Sequence, residues 1–287
     1  MLHQIKDEYL HFEQINTIIN SNAALALHPS VEQKVADCHS FLNDKIQKSD
    51  AAFYGINTGF GNLCNVSVDK DDLLTLQRNL ILSHSCGMGE DVHSEIVRIM
   101  HLLKIKGLSM GHSGVSVNLL SYLIRFYNEG VIPIVYTQGS LGASGDLAPL
   151  AHFSLPLLGE GKVYYKGEKK SSSEVLQHLG MQAYTPVAKE GLALINGTQF
   201  MLAYGVWCLQ KAFDLLQAAN YTGALSADVF LCRREPFHPA IHAVRPHAGQ
   251  RIIAAKLLSL LTDSSLEKVP NTAVQDPYSF RCMPQVH

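Results

Sequence analysis

Charged residues are scarce in this chain of 287 residues. Only 17% of them are charged, and 23 basic residues against 25 acidic ones leave a formal net charge of −2 at pH 7. Soluble domains usually carry about 25% charged residues, so this deficit indicates broad apolar faces buried between helices or between subunits. The near-neutral balance, without a basic stripe, argues against nucleic acid as a partner.

A secretory leader, a membrane-spanning run and paired cysteines are also missing. The first residues, MLHQIKDEYLHFEQI, mix acids and bases where a leader needs a basic start and an apolar stretch. The stretch that looks most apolar, 147–158, is far shorter than the ~20 residues of a membrane span. The six cysteines include no CxxC pair, which is typical of reduced thiols. These absences predict a soluble, cytoplasmic protein that contacts no membrane.

Apolar residues at helical spacing dominate what is present. This spacing predicts helices over 30–47, 71–85, 91–108 and 115–128, and helices that are apolar on nearly every side over 197–219 and 251–261. GKVYYKGEKK at 161–170 predicts a small β-hairpin, and the glycine-rich segment around 130–160 predicts irregular structure. The expected fold is mainly α, a long-helix bundle. We place an N-terminal helical domain with the functional loops at 1–195 and the start of the central bundle at 196–287.

The most informative stretch is QGSLGASGDLAPL at 138–150. It fits neither a phosphate loop, which needs Lys-Ser/Thr after its glycines, nor a dinucleotide fingerprint. A tight connection is one interpretation. Ala143-Ser144-Gly145 permits another: because glycine has no side chain, the Gly145 nitrogen can reach the Ala143 carbonyl carbon and close a five-membered ring. Loss of two waters, one from the ring and one across Ser144, leaves a strongly electrophilic methylidene group.

Five separated segments carry a resemblance to a known family. They are YGINTGFG at 54–61, RNLILSHSCGMGE at 78–90, GSLGASGDLAPLAH at 139–152, EGLALINGTQ at 190–199 and QDPYSFRCMPQVH at 275–287. Together they resemble the histidine and aromatic amino acid ammonia-lyases, which use 4-methylideneimidazole-5-one (MIO). The resemblance implies a homotetramer whose active sites each draw on several chains. Family members are longer and this chain ends without a closing helix, so we expect an N-terminal fragment whose activity belongs to the longer protein.

The resemblance implies that Ala143, Ser144 and Gly145 become MIO and that Asp146 assists ring formation. The alternative for Asp146 is an N-cap of the helix that follows. Tyr54 matches the family's base, which removes the β-proton of the substrate. A base accelerates the reaction only about 10²–10⁴-fold, so an electrophile that activates the amino group is needed as well. A tyrosine base also needs a lowered pKa, since the usual value is about 10.

Four further residues match positions that bind the substrate or line the MIO pocket. Arg281 matches the arginine that holds the substrate carboxylate, for which a planar two-donor fork is suited. Asn196 adds a neutral donor to the same carboxylate. Gln275 and Tyr278 match pocket residues, Tyr278 with a role in ring formation or proton handling. The alternatives are a surface salt bridge for Arg281, a helix cap for Asn196 and loop packing for the other two.

Ser83-His84 bears on the substrate. This pair matches the histidine-lyase pattern, whereas the tyrosine and phenylalanine lyases typically carry His-Leu or Phe-Leu. A histidine here can hydrogen-bond an imidazole and would be left unpaired against benzene. The prediction is conversion of L-histidine to trans-urocanate and ammonia. A tyrosine or phenylalanine lyase, an aminomutase and a non-catalytic helical scaffold remain alternatives, and a buried structural histidine is the alternative for His84.

A metal site is not expected. His238, His242 and His247 lie close in sequence, and the first two have the i, i+4 spacing that metal sites on helices use. Nearby prolines interrupt a regular helix, and no neighbouring acid or cysteine completes a site. We expect ordinary helix-end or interface roles for these histidines.

Overall fold

A computed structural model describes residues 1–49, 51–59, 68, 72–141 and 143–287. The described chain divides into two compact units, Met1–Trp207 and Cys208–His287. The division falls within one long helix. The domain boundary predicted between residues 195 and 196 concerns the whole protein and stays a prediction.

The first unit consists mainly of helices with short strands between them. The elements are β1 (Leu2–Ile5), α1 (Phe12–Asn20), β2 (Ala24–Leu27), α2 (Pro29–Lys48), α3 (Leu73–His84), β3 (Met88–Asp91), α4 (Ser94–Ser109), α5 (Val117–Asn128), β4 (Ile132–Pro133), β5 (Tyr136–Gln138), α6 (Leu147–Ser154), β6 (Lys162–Tyr165), β7 (Glu168–Ser171), α7 (Ser172–His178), α8 (Glu190–Ile195) and the start of α9 (Gln199–Val229). The mainly α fold predicted from the sequence is confirmed.

Helix α4 is the centre of this unit. Eleven of its sixteen residues are buried, including Ile99, Met100 and Leu102, which are fully inaccessible. Such burial explains why the sequence of α4 shows little polar face. Helix α5 packs beside it and is capped at its N-terminus by Ser116, whose hydroxyl accepts a hydrogen bond from the Leu119 amide at 3.1 Å.

The strands form three small sheets. β1 pairs with β2 in parallel, β3 pairs with β5 antiparallel, and β4, β6 and β7 form an antiparallel sheet in that order. The predicted hairpin is present as β6 and β7. Its turn residues, Lys166 and Gly167, have φ of 53° and 82°, the left-handed values that a tight two-residue hairpin turn requires.

The second unit holds the rest of α9 with α10 (Pro239–Ala243), α11 (Ala248–Leu261), α12 (Tyr278–Arg281) and α13 (Met283–Val286). Its small core includes Ala227, Phe237, Leu257 and Met283. The sequence predicted a helix over 197–219 that is apolar on nearly every side, and the long helix α9 is present there. In the single chain many apolar side chains of α9 are exposed: Leu209, Phe213, Leu215, Leu225 and Val229.

One helical stretch among the described residues, Glu190–Val229, is long and apolar enough by length and composition to cross a membrane, with a mean hydropathy of 1.3. The apolar stretch at 147–158 is shorter. Core helices of soluble proteins pass the same test, and a turn at residues 196–198 interrupts this one. The stretch is therefore weak evidence for a membrane span.

Candidate active site

The glycine-rich segment lies between a strand and a helix. β5 leads into it, and α6 begins directly after Asp146. Ala143 and Ser144 are exposed, and Gly145 is half-buried. Gly142 lies outside the described residues. Ser144 is thus accessible at the surface of the first unit.

Gly145 is pressed against a second glycine, Gly197. Gly145 has φ of +94°, and a Cβ built on it would lie 2.5 Å from the Gly197 carbonyl oxygen. Real side chains do not tolerate such a contact, and this φ favours glycine. The Asp146 amide also donates to the Gly197 carbonyl at 2.7 Å. The backbone of the tripeptide is therefore fixed on the turn that follows α8.

Asp146 is buried, with 4% of its surface exposed. The N-cap alternative is not what its side chain does, because the carboxylate makes no capping bond to α6. Instead, Oδ2 accepts from the Met201 amide at 2.9 Å, in the first turn of α9. The unsatisfied amides of a helix N-terminus are natural partners for a carboxylate. Asp146 thus joins the glycine-rich segment to α9.

Asn196 lies beside this contact. It is the residue at which α8 ends, with its amide donating to the Leu192 carbonyl at 2.9 Å, and its side chain is exposed. The backbone of Asn196 therefore ends α8, while its side chain stays available as a hydrogen-bond donor. Helix α8 packs tightly on α3: a Cβ on Gly191 would lie 2.5 Å from the Gln77 carbonyl oxygen. The Gln77 side chain also accepts from the Leu192 amide at 3.2 Å.

Ser83 and His84 form the last residues of α3. The Ser83 hydroxyl donates to the Leu80 carbonyl at 3.1 Å, and His84 Nδ1 lies 2.8 Å from the same oxygen. Because a carbonyl only accepts, Nδ1 carries the proton in this arrangement. In the neutral ring, Nε2 is then the hydrogen-bond acceptor. Such a ring suits a ligand that presents an N–H group.

His152 ties the segment after α3 to the helix after the glycine-rich loop. Its Nε2 accepts from the Gly87 amide at 2.9 Å. Burial lowers the pKa of His152, which keeps the ring neutral and able to accept. A Cβ on Gly139 would lie 2.9 Å from the Gly87 Cα, so two backbones cross closely there. The Gln77 contacts connect α3, which ends at His84, with α8, which ends at Asn196, and the turn after α8 contacts residues 145 and 146 within the same unit.

Tyr54 lies on a turn at residues 54–57 and is 57% exposed. Local hydrogen bonds shape this turn. The Phe53 amide donates to the Asn57 side chain at 2.6 Å, and the Gly55 amide donates to Thr58 Oγ1 at 3.3 Å, with Gly55 at φ of +72°. The end of the YGINTGFG motif, residues 60 and 61, lies outside the described residues. Tyr54 is therefore accessible at the surface of the first unit.

Gln275, Tyr278 and Arg281 form a cluster in the second unit. The Arg281 guanidinium carbon lies 4.2 Å from the centre of the Tyr278 ring. Arg281 Nε donates to the Asp276 carbonyl at 3.2 Å. With its amide oxygen turned toward the guanidinium, Gln275 accepts from Nε at 2.8 Å. These contacts orient the arginine without neutralising its charge.

Asp276 anchors this cluster. Its carboxylate, 4% exposed, accepts from the Arg233 amide at 2.7 Å and from the Asn271 amide group at 3.3 Å. Arg281 and Gln275 line a cavity of about 340 Å³ beside Arg233. Asp276 belongs to the motif at 275–287, but its role could not be predicted from the sequence, since only the structure shows where its carboxylate points.

His238, His242 and His247 lie at helix ends or in the interior of the second unit. His238 and His247 precede α10 and α11, and the His238 ring accepts from the Ala240 amide at 3.3 Å. His242 is buried, with Nε2 2.9 Å from the Pro236 carbonyl. Over the described parts of the chain, no group of three or more His, Cys, Asp or Glu side chains is placed to hold a metal ion.

Comparison with known proteins places this chain in a family. The model of the aromatic amino acid lyases matches residues 10–287. Histidine ammonia-lyase of Myxococcus xanthus is 42% identical over 285 residues, which are 99% of this chain and 56% of that protein. The chain spans about half the length of the curated relatives it matches.

Solved structures of the same kind share the fold. Histidine ammonia-lyase from Trypanosoma cruzi aligns with a TM-score of 0.86 and 33% identity over 100% of this chain and 53% of its own. Phenylalanine aminomutase from Pantoea agglomerans aligns with a TM-score of 0.90 and 30% identity over 99% of this chain and 58% of its own. The chain belongs to the aromatic amino acid lyase family.

Proposed function

We propose that the protein containing this chain removes ammonia from L-histidine without oxidation and releases trans-urocanate. The proposal rests first on family membership and on relatives that are named histidine ammonia-lyases. The observation that carries the substrate assignment is His84. With Nδ1 committed to the Leu80 carbonyl, the ring offers Nε2 to a substrate N–H, a group that an imidazole has and a phenyl ring lacks.

We further propose that Ala143-Ser144-Gly145 matures into MIO. The residues fit this group, because Gly145 has a φ of +94° and no room for a Cβ beside Gly197. Ring closure forms a bond from the Gly145 nitrogen to the Ala143 carbonyl carbon and expels one water. Loss of the Ser144 hydroxyl with its α-hydrogen expels the second water. The mature group supplies an electrophile for the amino nitrogen of the substrate.

The remaining site residues have roles that their chemistry supports. The Arg281 fork binds the substrate carboxylate, and the exposed Asn196 amide donates a further hydrogen bond to it. Tyr54 accepts the β-proton. Gln275 holds Arg281 in position, and the Tyr278 phenol handles protons or assists ring closure. Asp146 fixes the precursor by its bonds to Gly197 and Met201.

The assembly is proposed to be a homotetramer in the cytoplasm, with sites completed by neighbouring chains. The exposed apolar side chains of the long helix support association, because a contiguous apolar surface is typical of an interface. In the single chain Leu215 is 71% exposed and Leu225 is 67% exposed. Burying these side chains against another chain would lower the free energy of the assembly.

Two measurements test the proposal. Intact-mass analysis should show a deficit of two waters that Ser144→Ala abolishes. Product assays on the longest natural protein that contains this chain should show urocanate from L-histidine well above coumarate from tyrosine or cinnamate from phenylalanine. An unmodified mass would support a non-catalytic scaffold. Preferred formation of cinnamate, coumarate or a β-amino acid would support another lyase or an aminomutase, the activity named for one structural relative.

A further inference from the structure

A lysine is buried in the middle of α4. Lys104 is only 1% exposed and lies among the fully buried residues of this helix. Lysine is almost never fully buried without a partner, because removing an ammonium group from water is costly. The proposed mechanism assigns Lys104 no role, so its burial needs a separate explanation.

The partner of Lys104 is a carbonyl at the end of α8. Nζ donates to the Ala193 carbonyl oxygen at 2.7 Å. The last four carbonyls of a helix lack intrahelical partners, and a cation favours the negative end of the helix dipole. Lys104 therefore caps the C-terminus of α8 from inside the core.

The capped end of α8 leads directly to the candidate site. Asn196 and Gly197 follow at once, and the Gly197 carbonyl accepts the Asp146 amide at 2.7 Å. The same carbonyl oxygen leaves no room for a side chain on Gly145. A shift of the α8 end would move this carbonyl. The contacts thus run from Lys104 through α8 and Gly197 to the tripeptide.

We infer that Lys104 is a positioning residue for ring closure at Ala143-Ser144-Gly145. By holding the Ala193 carbonyl, it fixes the Gly197 turn against Gly145 and Asp146, and so keeps the Gly145 nitrogen directed at the Ala143 carbonyl carbon. This inference rests on the proposed function, since it concerns the formation of the same electrophile.

The electrostatics of Lys104 agree with this role. Burial lowers its pKa to about 7, and the nearby Asp146 carboxylate opposes that shift. Both the ammonium and the neutral amine carry N–H groups, so Lys104 can donate to Ala193 in either state.

The test compares Lys104→Met with Leu102→Ala, measured by intact mass, circular dichroism and thermal unfolding. Met keeps an apolar chain but lacks the amino group that donates to Ala193, whereas Leu102→Ala opens a cavity in the same buried helix and leaves that hydrogen bond in place. We expect Lys104→Met to fold and to show at least a tenfold smaller fraction of chains lacking two waters. Leu102→Ala should lose stability yet dehydrate fully, and Lys104→Arg should recover part of the dehydrated fraction.

Each outcome is decisive. Dehydration of Lys104→Met to the wild-type extent would overturn the positioning role and leave the proposed function intact. An unmodified wild-type protein would contradict the proposed function itself. If Lys104→Met does not fold, Lys104→Gln is measured instead. The glutamine side chain is one atom shorter than that of lysine and cannot reach the Ala193 carbonyl. A tenfold smaller dehydrated fraction then supports the role, and full dehydration overturns it.

Discussion

At the scale of single residues, the close approach of Gly145 to Gly197 fixes the backbone of the candidate site. A Cβ on Gly145 would lie 2.5 Å from the Gly197 carbonyl oxygen, a backbone atom that cannot easily move aside. A Cβ on Gly197 would meet only the Gln199 side chain, with its oxygen at 2.2 Å, and that flexible side chain can move away. The close approach therefore depends on the missing side chain of Gly145, and a chain with alanine at position 145 would hold the tripeptide elsewhere.

Substitution at Gly145 tests this directly. Gly145→Ala should sharply lower the fraction of chains that lose two waters, because the added methyl displaces the ring nitrogen. It should also cost about 1–3 kcal/mol of stability from the left-handed backbone. The control is Gly130→Ala, at φ of +69° with no atom within 4 Å of the new Cβ. If both variants dehydrate equally, the Gly145–Gly197 contact does not direct ring closure.

His84 offers a second test at this scale. His84→Leu should lower kcat/KM for L-histidine by about 10–100-fold, since a hydrogen bond to the substrate imidazole is lost. The same change should raise the relative use of phenylalanine. The control is Ser85→Ala, which removes a hydroxyl bonded to the Ile81 carbonyl at 2.8 Å one residue further on. An unchanged ratio of histidine to phenylalanine turnover would mean that His84 does not face the substrate ring.

At the scale of helices and strands, periodicity predicted much of what is seen. The helix predicted over 71–85 runs over Leu73–His84, and that predicted over 115–128 runs over Val117–Asn128. Glycines and Pro149 make the segment around 130–160 look irregular, and the sequence predicts a helix there only as the one that Asp146 would cap; α6 lies at that place. Pro149 is the third residue of α6, where an amide would have no intrahelical partner, so the helix tolerates it.

Long-range contacts could not be predicted in this way. The parallel pairing of β1 with β2 joins two short strands across α1, and no local pattern marks it. The site shows the same division. Its motifs identified Asp146, but the bond from Asp146 to the Met201 amide and the burial of Lys104 under α8 depend on how helices pack. Sequence spacing carries no information on those distances.

The packing of α4 on α5 predicts a dependence of stability on pH. His101 lies between the two helices, with Nε2 2.8 Å from the Leu123 carbonyl and its ring edge-on to Tyr127 and Phe153. Burial lowers its pKa to about 3. An unfolded chain has a histidine pKa of about 6.5 and takes up a proton as the pH falls below that value, whereas the folded chain does not. The free energy of unfolding should therefore fall between pH 6.5 and about pH 3.

The variant His101→Phe isolates this effect. The substitution keeps an aromatic ring and removes the titrating group. Between pH 7 and pH 4.5, the free energy of unfolding of the variant should therefore fall by about 2–3 kcal/mol less than that of the wild type. Urea unfolding at the two pH values measures this difference. His112→Phe, at an exposed histidine, is the control and should behave like the wild type. If His101→Phe and the wild type lose equal stability between the two pH values, groups other than His101 cause the acid sensitivity.

At the scale of the whole molecule, the apolar side chains that one chain leaves exposed predict association. In the second unit, Leu215 and Leu225 on α9 and Ile252 on α11 are 71%, 67% and 65% exposed. Burying a leucine fully is worth roughly 1.5–3 kcal/mol, so covering several of them with another copy yields a stable interface. Light scattering on the longest natural protein that contains this chain should give a mass of four copies.

Charge placed on this surface should break the assembly. Leu215→Glu combined with Leu225→Glu should lower the measured mass, since a buried unpaired carboxylate is costly. Because each active site is proposed to draw on several chains, urocanate formation should fall with the mass, while the loss of two waters, a reaction within one chain, continues. Tyr9→Glu, at a side chain 90% exposed in the first unit, serves as the control and should leave both unchanged. A variant that dissociates yet keeps full activity would show that one chain completes its own site, and the four-copy arrangement would then have no catalytic role.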